Sequence, residues 1–90
     1  DLLVPLRYLN THPGESDAII CAALESIFDL PRGIACGIVD DWGKEFITPA
    51  IRRSLIKARQ LSNNDVVTAR IDCLLAGKHF DIGKFLNKRK

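Results

Sequence analysis

The chain has 90 residues and a mass of 10.0 kDa, enough for one hydrophobic core and too little for two independent ones. Apolar residues at 47% and charged residues at 27% exclude disorder, low complexity and a collagen-like repeat. The formal net charge of +2 hides an asymmetry: residues 1–48 hold three cations and eight anions, net −5, whereas residues 49–90 hold ten cations and three anions, net +7.

Leu2, Leu3, Val4, Leu6, Tyr8 and Leu9 form an apolar opening in which Pro5 is tolerable only near a helix start, so a short helix or an extended arm is expected. The run 11–16 is turn chemistry, with Ser16 or Thr11 available to cap the next helix. From Asp17 to about Asp29, Ile19, Ile20, Ala23, Leu24 and Ile27 share one face, which predicts a core helix stopped by Leu30-Pro31-Arg32-Gly33. Ile34, Ala35, Ile38, Val39, Trp42 and Phe46 fit helical spacing and predict the next helix, with Trp42 anchoring it in the core. Gly37 and Gly43 weaken that helix by about 1 kcal/mol each relative to alanine, so close approach of another backbone is expected there.

Thr48-Pro49 is the clearest start signal, a threonine cap followed by proline at the first helical position, and predicts a helix to about Leu61. Ser62-Asn63-Asn64 is a polar break offering a second cap, and Asp65 to Ala76 reads as a helix closed by Gly77. Phe80, Asp81 and Phe85 match a hydrophobic staple with Asp81 as the cap. With no sustained alternation and no hairpin signal, the fold class is all-α, a compact single-domain bundle of about five short helices. A chain without methionine that begins at Asp1 reads as one domain, residues 1–90, trimmed or excised from a longer protein.

Catalytic signals are missing from the sequence. No dinucleotide, phosphate-loop, zinc-protease or EF-hand motif occurs. His12 and His79 sit at element junctions, where turn or capping roles are common, and the adjacent Asp40 and Asp41 point about 100° apart on a helix rather than converging. The three cysteines, Cys21, Cys36 and Cys73, lie far apart in apolar segments and lack metal-ligand spacing. A non-enzyme without metal or cofactor is expected. Three widely spaced cysteines, which allow at most one disulfide with a thiol left over, and short apolar stretches together point to a reducing, cytoplasmic setting without a membrane partner.

The 49–61 helix carries the functional expectation. Ala50, Ile51, Ser54, Leu55, Ala58 and Leu61 form its buried stripe, leaving Arg52, Arg53, Lys57 and Arg59 opposite, with Ile56 among them and no acid between Thr48 and Asn64. Together with Lys84, Lys88, Arg89 and Lys90 this forms a candidate surface for nucleic-acid phosphates, DNA or RNA, contacted by a small regulatory binding module. The alternative is a protein-interaction or self-assembly module, forming a homo-oligomer or meeting an acidic partner surface through the Arg/Ile face. A third outcome is that the face is solvated or pairs inside the fold with Asp40, Asp41 and Glu45. A helix-turn-helix reading of 54–73 fits poorly, because Arg70 alone faces Asp65 and Asp72 on the would-be recognition helix.

Overall fold

The computed structural model describes residues 2–88, without the side chain of Lys88. Among the described residues six α-helices succeed one another: α1 (Leu3–Asn10), α2 (Asp17–Leu24), α3 (Asp29–Trp42), α4 (Pro49–Leu61), α5 (Asp65–Leu75) and α6 (Ile82–Lys88), with a 3-10 turn, Lys44–Phe46, between α3 and α4. The all-α expectation holds, and the apolar opening segment resolves as helix rather than arm.

Local chemistry sets most boundaries. Ser16 accepts the Ile19 amide at the start of α2, Thr48 accepts the Ile51 amide at the start of α4, and the Asn64 side chain accepts the amides of Val66 and Val67 at the start of α5. The Asp81 carboxylate accepts the Lys84 amide at 3.1 Å while Phe80 and Phe85 rings lie 5.8 Å apart, so the staple forms as spelled. Gly77 closes α5 in the left-handed region at φ 71°, with the Lys78 amide reaching back to the Cys73 carbonyl.

The segment 25–33 differs from expectation. The helix beginning at Asp17 ends at Leu24, because the Ser26 hydroxyl accepts the Phe28 amide and so offers the backbone a turn instead of another helical rung. Pro31 does not stop a helix; it stands in the first turn of α3, where its missing N–H is one that no intrahelical carbonyl would meet. Gly33 consequently lies inside α3. Gly43 lies outside it, at φ 102° just past Trp42, and ends the helix before Phe46.

One cluster forms the core. Leu6 and Leu9 of α1, Ile20, Ala23 and Leu24 of α2, Ala35, Cys36, Val39 and Trp42 of α3, Ile51, Leu55 and Ala58 of α4, and Ile71 and Leu74 of α5 are all buried in it. Each fully buried aliphatic side chain contributes on the order of 1.5–3 kcal/mol against unfolded-state entropy. α3 is central, packing on α1, α2 and α5, while α4 packs on α2 and α5, and α6 rests on α5. Trp42 anchors α3 as expected: its indole N–H donates to the Leu9 carbonyl at 2.9 Å, and its ring meets Phe46 edge-on at 6.0 Å.

Candidate interaction surface

The cationic face of α4 is exposed but largely spoken for. Arg59 donates to both carboxylate oxygens of Asp72 on α5, at 2.5 and 3.5 Å, and that bond pushes its guanidinium further above its already high pKa. Arg52 donates to the Leu75 carbonyl at 3.1 Å, a favourable place for a cation because α5 ends there. Lys57 lies 3.7 Å from Glu25, whose other oxygen accepts the hydroxyl of buried Ser54 at 2.8 Å. Arg53 has no ion pair or hydrogen bond among the described residues, and beside it Ile56 is 47% exposed.

The acids that meet this face are Glu25 and Asp72, not Asp40, Asp41 and Glu45. Asp40 is engaged elsewhere, with His79 Nδ1 at 3.2 Å, and Asp41 lines a groove between α1 and α3. Four α4 cations thus face two acids, and the excess of positive charge on the face falls to two. Of the C-terminal cations, Lys84 is exposed on α6 without an ion pair among the described residues, whereas the side chain of Lys88, and Arg89 and Lys90, lie outside them.

The remaining candidate groups do local work. His12 stacks on Tyr8 with ring centroids 3.8 Å apart, and its Nδ1 lies 2.7 Å from the Tyr8 carbonyl. A carbonyl only accepts, so that nitrogen carries the proton and closes the end of α1. The Tyr8 hydroxyl donates to Glu15 at 2.8 Å, which raises the phenol's pKa, since ionisation would lose the bond and place two anions together. Burial pushes the Cys36 thiol up to about 12, against the lowering influence of Arg70 and Arg32. Among the described residues, no three His, Cys, Asp or Glu side chains gather to hold a metal ion.

Two features escaped the sequence reading. Ile27, Phe28 and Leu30 stand out from the surface at 78, 67 and 60% exposure, on and beside the α2–α3 connection. Sequence periodicity placed Ile27 on a buried helix face; the early end of α2 turns it outward. The connection is held from beneath by Arg32, 2% exposed, which donates to the Ser26 carbonyl at 2.7 Å and pairs with Asp29. The second feature is a groove between α3 and α5, with Leu30 and Asn64 near one end and Gly37 and Arg70 near the other. Arg70 was visible only as a lone cation between Asp65 and Asp72; no sequence signal placed it in a groove.

Comparison of this chain with protein-family models, curated proteins and solved structures finds no match.

Proposed function

We propose that this domain is a non-catalytic protein-interaction module whose contact surface centres on Ile27, Phe28 and Leu30. The observation that carries the reading is that three large apolar side chains, 60–78% exposed, sit within four positions on a connection fixed by buried Arg32. Exposed apolar side chains on a pre-ordered backbone are what interface anchors use, because less ordering entropy is lost on binding. The partner that fits is a peptide segment with apolar residues next to acidic ones, since Arg70, which lines the groove that Leu30 also lines, is a cation without an ion pair among the described residues. Selection of displayed random peptides on the wild type, with Phe28→Ser as the counter-target, tests this. Enrichment of apolar and acidic peptides that bind the wild type alone supports it; no enriched family, or equal binding to Phe28→Ser, overturns it.

A second reading, contact of α4 with nucleic-acid phosphates, is favoured by the absence of any acid on α4 and by unpaired Arg53. Glu25 and Asp72 weigh against it by halving the excess charge of the face. With two uncompensated cations, log K would fall against log salt with a slope of only about −2 on B-form DNA. Anisotropy titrations of labelled DNA and RNA at about 50 and 200 mM salt decide this; salt-sensitive binding abolished by Arg53→Ala would make nucleic acid the partner. A light-scattering mass that grows with concentration, and stops growing in Phe28→Ser, would make the partner a second copy of this chain.

A further inference from the structure

We infer that the groove between α3 and α5 seats the partner segment by taking an aliphatic side chain between Leu30, Ile34 and Val67 and a carboxylate at Arg70. This inference rests on the interaction-module reading and adds to it the site and the chemistry of the occupant.

Three observations meet in the groove. The first is charge without a counter-ion. Arg70 is half-buried, its guanidinium has no ion pair or hydrogen bond among the described residues, and its Nε is shut away from any acceptor. One face of the guanidinium lies over the Phe80 ring, 5.2 Å from the centroid, which steadies the cation but leaves its in-plane donors unused. A planar fork held in place with free donors matches a carboxylate bidentately, and a half-buried charge left alone is costly until such a group arrives.

The second observation is room that internal packing does not require. Gly33 and Gly37 lie one turn apart on α3 and line the groove. A Cβ built on Gly33 would meet only the Val67 methyl at 3.7 Å, and one on Gly37 only Arg70 Nη1 at 3.4 Å. The close backbone approach expected from the sequence is therefore absent at Gly37, and no neighbouring backbone explains why α3 forgoes the helix propensity of alanine there. Those contacts also locate Arg70: its Nη1 reaches the groove floor over Gly37.

The third is continuity. Leu30 belongs both to the exposed apolar ridge and to the lip of the groove, so a segment lying on Phe28 leads directly into it. From Ile34 to Gly37, and from Val67 to Arg70, each helix rises roughly 4.5 Å, so the apolar contact and the carboxylate site lie within the reach of a single residue.

The test is a titration of the isotope-labelled chain with N-acetyl-leucine, which carries both groups, and with N-acetyl-leucinamide, which lacks the carboxylate, monitored by amide chemical shifts. Saturable shifts at Gly33, Gly37 and Val67 are expected with N-acetyl-leucine, in the millimolar range suited to so small a ligand, and at least roughly tenfold weaker binding with the amide. Arg70→Gln should erase that preference. Gly33→Leu, which fills the groove while leaving Arg70 intact, should weaken both ligands and serves as the deciding variant should Arg70→Gln not fold. Equal binding of the two ligands, shifts confined to α4, or an unchanged preference in Arg70→Gln would overturn the inference. Enriched peptides that need Phe28 but ignore Arg70→Gln would remove the groove and leave the interaction reading standing. Saturable carboxylate binding beside an empty peptide selection would remove the interaction reading and leave an anion site at Arg70.

Discussion

Replacing Gly33 by alanine should stabilise the protein, and the geometry sets the size of the gain. The position is interior to α3, where glycine costs about 1 kcal/mol relative to alanine through backbone entropy. The added methyl would lie at ordinary van der Waals distance from Val67, 3.7 Å, and displace nothing. The expected gain is therefore most of the propensity difference, about 0.5–1 kcal/mol, or a rise of roughly 3–6 °C in melting temperature for a domain this size. Gly77→Ala supplies the contrast. Nothing lies within 4 Å of its Cβ position, but its φ of 71° is a left-handed conformation, so alanine there should lose about 1 kcal/mol to strain alone. Urea denaturation monitored by circular dichroism and by the fluorescence of the single tryptophan measures both. Destabilisation of Gly33→Ala by more than about 0.5 kcal/mol would mean that α3 and α5 approach more closely than described, and would refute the account of the groove.

The other predictions address single side chains. The lone tyrosine, Tyr8, should ionise above its usual value in absorbance titrations at alkaline pH, and Glu15→Gln should bring it down. Because its folded-state pKa is raised, the stability it contributes is present below the unfolded value and is lost as pH rises through the folded one. Of the three thiols, Cys36, with a pKa of about 12 and fully buried, should react with a thiol reagent at mildly alkaline pH only when the protein unfolds, after half-buried Cys21 and Cys73; a Cys36 that reacts first would contradict the packing of α3. Trp42→Phe removes the indole donor but leaves the Leu9 carbonyl bonded to the His12 amide, so the loss should stay near about 1 kcal/mol beyond the volume change, read by thermal melting.

What was legible in the sequence was local. Thr48-Pro49, Asn64 and the Phe80-Asp81-Phe85 staple each spell a boundary within a few residues, and each forms with the partners its spelling implies. The 25–33 segment departs from its pattern because two local signals compete there: periodicity carries the helix on to Ile27, whereas Ser26 turns the chain by bonding Phe28, and Pro31 fits a first turn as well as it ends a last one. The fate of the α4 cations depended on tertiary placement that no spacing encodes. Glu25 and Asp72 come from the α2 end and from α5, which flank α4 in space, while the conspicuous Asp40-Asp41 pair sits on α3 and faces other neighbours. The solitary state of Arg70 is equally a property of the fold, since the nearest acids in sequence are Asp65 and Asp72, of which Asp72 is bound by Arg59.

The central claim is that the Ile27–Leu30 ridge is held outward for a partner and is not a part of the core. Phe28→Ser measures it directly, by urea denaturation and by binding of the peptides enriched on the wild type. The account predicts stability within about 0.5 kcal/mol of wild type, as for a surface position, with peptide affinity reduced at least roughly tenfold. A loss of about 2–5 kcal/mol, of the size expected for Leu24→Ala in the core, or peptide affinity that does not change, would contradict it.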